Sequence, residues 1–167
     1  MTNNMRTPKG SPSPLENTHV PVQLKLAAAW TSFMFLYIYV DYLHLYKPGA
    51  IDDILDGVVF VFDINQAFVV IALTSVAIPI LMILLSTTLP ARANRATNLV
   101  VASLYIPYSA FNLAGGSWIY FYGLGVVLEV LLLAFILRSA WTWPRTPAPS
   151  MPEPTVVPSN GHITSKV

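Results

Sequence analysis

Four long apolar runs, separated by short polar segments, constrain the fold of this sequence more than any other feature. They extend over roughly residues 26–46, 64–89, 97–115 and 118–141. A helix needs about 20 apolar residues to cross the hydrocarbon core of a bilayer, because each residue rises about 1.5 Å. Three runs meet that length, and the third does so only when Gly115 or Arg95 is counted. We still interpret the third run as a span, because without it the fourth would be inverted relative to the charges.

The composition supports lipid as the medium around these runs. Of the 167 residues, 54% are hydrophobic and 10% are charged, whereas about 25% of the residues of a soluble domain are charged. The sequence therefore predicts an all-α membrane protein, with a bundle of four transmembrane helices in residues 24–143.

Both ends of the chain are rich in proline. Of the 14 prolines, four lie within residues 1–25 and six within residues 144–167, together with Ser, Thr and Asn. Such segments do not bury enough apolar surface to fold alone. We expect residues 1–23 and 144–167 to be disordered cytoplasmic tails.

The basic residues predict the orientation. Eight of the nine lie before the first run, between the second and third, or at and beyond the end of the fourth, namely Arg6, Lys9, Lys25, Arg92, Arg95, Arg138, Arg145 and Lys166. Because basic loops stay in the cytoplasm, we expect both termini to be inside the cell. An inner loop with Arg92, Asn94 and Arg95 would lie on the same side, and residues 47–63 outside.

Local patterns near the two interfaces add detail. An aromatic belt predicts Trp30, Trp141 and Trp143 at the inner interface and Trp118 at the outer one. The apolar residues of the outer loop repeat at helical spacing, which predicts a short surface helix over Ile51, Ile54, Leu55 and Val58. Asp63 with Gln66 fits a capping box at the start of the second span.

Pro79 and Pro107 interrupt the second and third spans. Each proline removes one backbone donor and crowds the carbonyl four residues earlier, which belongs to Ser75 or Ser103. Both prolines lie ten residues from the cytoplasmic end of their run, so we expect two helix kinks at one depth near the middle of the bilayer. The kinks either serve packing alone or widen a cavity.

Three ionisable side chains within the spans form a candidate intramembrane polar site. Glu129 lies near the middle of the fourth span, whereas Asp41 and His44 lie one turn apart near the outer end of the first. A charge at mid-bilayer costs about 2.5–3.5 kcal/mol, so such groups face the bundle interior, pair, or stay protonated. Glu129 is either a structural hydrogen-bonding acid or a proton-carrying or cation-binding group. Asp41 and His44 either extend to the outer interface or join the same site.

Other polar side chains favour the outer half of the spans. Together with the three ionisable groups they are expected to line a cavity open to the outside, and they are Tyr37, Asn65, Gln66, Tyr105, Tyr108, Ser109, Asn112 and Tyr122. Tyrosine also serves as an interfacial anchor, so the alternative is that several of them only position the helices.

No motif assigns a catalytic residue. The chain has no cysteine, which excludes disulfides, iron–sulfur clusters and thiolate zinc sites. His44 is the only histidine within a predicted span, which excludes a haem held by two histidines on facing helices. We therefore expect no metal and no cofactor, and we favour a protein that is not an enzyme. The net charge of +1 gives no reason to expect a nucleic-acid partner.

Several short strings together resemble a known family. They are Lys25-Leu26-Ala27-Ala28, Tyr37-Ile38-Tyr39-Val40-Asp41, Pro48-Gly49, Ile78-Pro79, Arg92-Ala93-Asn94-Arg95 with Asn98, Glu129, and Ala140-Trp141-Thr142-Trp143. Over roughly residues 24–144 the chain resembles a family of small bacterial four-helix membrane proteins known only as a domain of unknown function. The resemblance implies a multi-pass protein of the inner (plasma) membrane and no activity. Relatives often carry an acid before the Ile-Pro pair, where this chain has Ala77.

Two functions fit these features. One is a small proton-linked transporter or permeation component built around Glu129, which would need a homo-oligomer because four helices rarely enclose a pathway. The alternative is a non-catalytic membrane subunit or assembly protein with a membrane-protein partner, since chemical motifs are missing and the tails are long. An enzyme acting on lipid or quinone is a third, weaker hypothesis, because only Asp41, His44 and Glu129 could supply its acid and base groups.

Overall fold

The computed structural model describes residues 20–111, 113 and 118–144. These residues form four long helices, α1 (Val22–His44), α3 (Gln66–Thr88), α4 (Ala91–Phe111) and α5 (Ile119–Trp141), and one short helix, α2 (Ala50–Leu55). Two short strands, β1 (Val58–Val59) and β2 (Phe62–Asp63), pair antiparallel between α2 and α3. Residues 1–19 and 145–167, which make up most of the predicted tails, and Asn112 and 114–117 lie outside the described residues.

Consecutive long helices run in opposite directions. Helix α1 packs against α3 and α5, and α4 packs against α5. At one end, where α1 and α4 begin and α3 and α5 end, lie Lys25, Arg92, Arg95 and Arg138, and we call this the basic end. At the other end lie residues 45–65 with Asp52, Asp53, Asp56 and Asp63, and we call this the acidic end.

The core lies mainly in the half of the bundle nearer the basic end. Trp30 and Phe33 of α1 are fully buried, and their rings pack edge-to-face on each other and on Tyr105 of α4. Leu133 and Ile136 of α5 close the same core. Such aromatic pairs add about 0.5–1.5 kcal/mol beyond the burial of their area.

Three helices, α1, α3 and α5, are long and apolar enough to cross a membrane. Many of their large apolar side chains are exposed, including Ile71 and Leu73 of α3 at 68% and 67%. An apolar surface of this extent is typical of proteins surrounded by lipid. Helix α4 is not among the three, because its first two turns carry Arg92, Asn94, Arg95 and Asn98.

The start of α4 differs most from the sequence prediction. The third span was expected over 97–115, with Arg92, Asn94 and Arg95 in a loop, but these residues lie on α4 and the turn consists of Leu89 and Pro90 alone. Pro90 has no N–H to donate to the Ser86 carbonyl, and the Asn94 side chain donates to that oxygen instead at 2.6 Å. The helix therefore begins directly after the proline.

Other differences are smaller. Helix α1 begins at Val22, so residues 22–23 are helical rather than part of a tail. The N-cap of α3 is Asn65, whose side chain accepts from the Phe68 backbone N–H at 2.9 Å, while Asp63 belongs to β2. The predicted outer helix is the six-residue α2, which ends at Leu55. Pro79 and Pro107 lie inside α3 and α4, and kinks at them stay a prediction.

Candidate intramembrane polar site

Glu129 is buried in the middle of the bundle. Its side chain is 1% exposed, and it lies about 15 Å along α5 from Ile119 by helical rise. The carboxylate oxygen Oε2 has no hydrogen-bond partner among the described residues. A buried polar atom left unpaired costs about 1–3 kcal/mol, so each such atom in a folded protein needs an explanation.

The nearest polar neighbour of Glu129 is on α4. The Ser109 side chain lies beside the Glu129 carboxyl group and is fully buried. Its hydroxyl also has no partner of hydrogen-bonding geometry in the described part of the chain. Two adjacent buried groups therefore retain unused hydrogen-bonding capacity at the same place.

Tyr37 and Tyr108 lie at about the depth of this pair, and Tyr105 lies one helical turn from Ser109. Tyr37 lies seven residues before His44, and Glu129 lies seven residues after Tyr122, which is hydrogen-bonded to His44. Both therefore lie about 10 Å from that bond towards the middle of the bundle. The hydroxyls of Tyr37 and Tyr108 share a hydrogen bond of 2.9 Å. We call this level the mid-bundle layer, and its residues are Tyr37, Ser75, Tyr105, Tyr108, Ser109 and Glu129.

Tyr105 has a structural role in the layer. Pro79 leaves the Ser75 carbonyl without its usual helical donor, and the Tyr105 hydroxyl donates to that oxygen at 2.5 Å. The Ser75 hydroxyl donates to Ala72 instead, at 2.7 Å. The sequence predicts that Pro79 frees the Ser75 carbonyl. It does not predict Tyr105 as the donor, because that contact depends on how α4 is rotated about its axis.

Asp41 and His44 lie between the mid-bundle layer and the acidic end. They share a face of α1 with Tyr37, since the spacing is i, i+4, i+7. The half-buried His44 shares a hydrogen bond through Nδ1 with Tyr122 of α5, and the Asp41 side chain is exposed. Asp41 lies about 6 Å nearer the acidic end than Glu129, close enough for their charges to influence each other.

Two cavities open at the acidic end beside His44. One, of about 280 Å³, is lined by His44, Lys47 and Asp53 together with residues of α2 and the β1–β2 hairpin. The other, of about 240 Å³, is lined by His44, Lys47, Trp118 and Tyr122 among others. His44 therefore borders both cavities, and Asp41 lies one helical turn before it on α1. The described residues contain no cluster of three or more His, Asp or Glu side chains that could hold a metal.

The predicted cavity lining divides into two groups. Tyr37, Tyr105, Tyr108 and Ser109 lie in the mid-bundle layer, whereas Tyr122 lies about 10 Å away beside His44. Asn65 and Gln66 instead cap and begin α3, where both are exposed. Asn112 lies outside the described residues.

A second buried polar group, near the basic end, has all of its side chains paired. We call it the amide cluster, and it consists of Trp30, Ser86, Asn94 and Asn98, each 0% exposed. Trp30 Nε1 donates to Asn98 Oδ1 at 2.7 Å, and Asn98 Nδ2 donates to Asn94 Oδ1 at 2.7 Å. Trp30 is therefore a core residue and not part of an interfacial belt. The spacing of Asn94 and Asn98, one turn apart, was the only signal of this cluster in the sequence.

Comparison with protein families matches residues 17–149 to the Family of unknown function (DUF6326). This chain belongs to that family. The match confirms the resemblance to a family of unknown function, and it spans all four long helices together with the mid-bundle layer and the amide cluster. Comparisons with curated proteins and with solved structures found no match.

In this DUF6326 member, position 77 on α3 is a half-buried alanine. The acids within its long helices are therefore Asp41 and Glu129, since the other acids of the described residues lie between α1 and α3. Any intramembrane carboxylate chemistry of this protein depends on these two side chains.

Proposed function

We propose that this protein crosses the bacterial inner membrane four times, with both termini in the cytoplasm, and that Glu129 carries protons in a small transport or permeation component. The observation that carries the proposal is a carboxyl group in mid-bundle, 1% exposed, with an unpaired oxygen. Ionisable residues within membrane spans mark proton relays and ion pathways, so such a group is a functional candidate by default.

Contacts of α4 support the fourth span. Helix α4 is hydrogen-bonded to α1 through Asn98 and Tyr108, and to α3 through Tyr105. These contacts extend over most of its length, so α4 lies alongside helices that are apolar enough to span. Where α1, α3 and α5 cross a membrane, α4 crosses with them. The positive-inside rule assigns the basic end to the cytoplasm.

The topology has a direct test, because the chain contains no cysteine. Asp53→Cys at the acidic end is expected to react with a membrane-impermeant maleimide in intact cells. Arg92→Cys at the basic end is expected to react only after the cells are lysed. The reverse pattern, or equal labelling of both, contradicts the proposed orientation.

A polar path supports proton access from the acidic end. It runs from the two cavities past the His44–Tyr122 hydrogen bond to Asp41 and then to Glu129. Each step is about one or two helical turns. Side chains along this path can accept and donate protons, whereas the buried residues of α5 on the other side of Glu129, namely Leu133, Ile136 and Ala140, are apolar.

Proton flux in proteoliposomes tests the role of Glu129. A potassium diffusion potential drives protons inward, and a trapped pH-sensitive dye reports them. We expect flux above that of protein-free vesicles, and we expect Glu129→Gln to abolish it because the amide does not release a proton. Asp63→Asn, which removes an exposed acid of β2, is the matched control and should keep wild-type flux.

Two results would contradict the transport function. One is wild-type flux from a folded Glu129→Gln protein. The other is wild-type protein, reconstituted at any oligomeric state, that conducts no better than empty vesicles.

A second function, a membrane subunit or assembly protein, is favoured by α3. Its buried residues are Pro79, Met82 and Ser86, so none of residues 66–77, the half nearer the acidic end, is fully buried. A photo-crosslinking amino acid at Leu73 should capture one dominant protein partner in intact membranes. The control position is Leu124 on α5, which has a similar exposed fraction of 62%. Capture of lipid alone at both positions counts against this function.

A further inference from the structure

The basic end carries positive charge without a described counter-charge. Lys25, Arg92, Arg95 and Arg138 all lie there. The described acids lie elsewhere, in mid-bundle, near the end of α1, or in the segment between α1 and α3. Arginine has five N–H donors and no acceptor, so its hydrogen-bond partners are acceptors, of which anionic oxygens bind most strongly.

Two of these arginines flank one exposed tryptophan in the seam between α4 and α5. The Arg95 guanidinium lies over the Trp141 ring, 5.7 Å from its centroid, and Trp141 is 69% exposed. Arg138 lies one turn before Trp141 on α5 and is also exposed. A cation–π contact holds the guanidinium beside the ring, and a guanidinium with free N–H donors can bind a phosphate with two hydrogen bonds.

We propose that Arg95, Arg138 and Trp141 bind the phosphodiester of an anionic phospholipid headgroup. The surface next to the site fits a lipid rather than a free anion. Leu131 and Phe135 are exposed at 60% and 46%, and they share a stripe of α5 with Arg138 at spacing i, i+4, i+7. An acyl chain can lie along this stripe while the headgroup phosphate meets the arginines. The site does not depend on the role of Glu129.

Native mass spectrometry of the detergent-purified protein, titrated with phosphatidylglycerol, tests the site. We expect Arg95→Gln/Arg138→Gln to lower the affinity at least about tenfold, since each basic residue near an anionic headgroup contributes about 1 kcal/mol. Trp141→Leu should lower it about threefold through loss of the cation–π contact. Lys25→Gln/Lys47→Gln removes the same net charge and should bind within about twofold of wild type.

The other arms of the experiment separate the alternatives. Equal loss in the lysine control would show a bulk charge effect, and competition by inorganic phosphate at equal concentration would show a free-anion site; both overturn the proposal. Arg95→Lys/Arg138→Lys retains both charges and serves where the glutamine variant does not fold. It should bind more weakly than wild type because ammonium groups lack the planar fork, and wild-type affinity in this variant contradicts the site.

Discussion

The amide cluster and the mid-bundle acid are both buried and polar, yet one is paired and the other is not. Trp30, Asn94 and Asn98 bond to one another, and Asn94 also bonds to the end of α3. Glu129 and Ser109 lie side by side, and each retains an atom without a partner.

This difference indicates that the polar groups of the amide cluster have a structural role, whereas Glu129 is available for a chemical one. A fully bonded network joins α1, α3 and α4 in one arrangement, because any shift leaves several groups unpaired in a low-dielectric interior. An unpaired buried acid does not join helices in this way, and it lowers the stability of the folded protein. We infer that the amide cluster determines how the helices pack, whereas the proton chemistry proposed for Glu129 would explain an acid that does not contribute to packing in this way.

Asn98→Ala should give the largest loss of stability. It leaves Trp30 Nε1 and Asn94 Oδ1 without their bonds, and unpaired buried groups cost about 1–3 kcal/mol. We expect the free energy of unfolding in mixed micelles to fall by about 2–3 kcal/mol. Thr97→Ala, one position earlier and without a side-chain hydrogen bond in the described residues, is the control. Equal stability of the two variants would show that the amide cluster does not hold the bundle together.

Gly125→Leu tests whether α1 and α5 pack closely beside Asp41 and Glu129. A Cβ at Gly125 would meet Cγ2 of Val40 at 3.0 Å, whereas a Cβ at Gly123 meets nothing within 4 Å. Overpacking costs about 1–3 kcal/mol, and Val40 is stiff because it is β-branched. We expect Gly125→Leu to lower stability by about 1–2 kcal/mol relative to Gly123→Leu. No difference between the leucine variants would mean that the seam next to Asp41 is loose.

The sequence predicts the long helices and the depth of their residues, but not the side-chain contacts between helices. Apolar runs identify the long helices because only a segment of about 20 such residues suits a bilayer, and counting along α5 places Glu129 in mid-bundle. The start of α4 was missed because Arg92, Asn94 and Arg95 look like a loop until Asn94 is seen bonded to Ser86. Hydrogen-bond partners such as His44 and Tyr122 depend on how each helix is rotated about its axis. The sequence does not specify that rotation, because apolar residues occur on all sides of α1 and α5. The roles of Asp41, His44 and Glu129 stay predictions.

Tyr105→Phe tests a pairing within the mid-bundle layer itself. It removes the donor to the Ser75 carbonyl that Pro79 leaves free. Hydrogen bonds between membrane helices contribute about 0.6 kcal/mol on average and about 1.7 at most, so we expect a loss of about 1 kcal/mol. Tyr39→Phe, which changes an exposed tyrosine of α1 at 57% exposure, should be neutral. A neutral Tyr105→Phe would indicate that water or a backbone shift satisfies the carbonyl.

Glu129→Leu should have the smallest effect on stability and the opposite sign. Leucine fills a similar volume, and because Oε2 of Glu129 has no partner among the described residues, its removal leaves no group newly unpaired at that atom. We expect the free energy of unfolding to stay within about 1 kcal/mol of wild type or to rise, while proton flux disappears. A loss as large as that of Asn98→Ala would mean that Glu129 is bonded in the folded protein and holds helices together. The two buried polar groups would then serve the same purpose, and the case for Glu129 as a proton carrier would lose its main support.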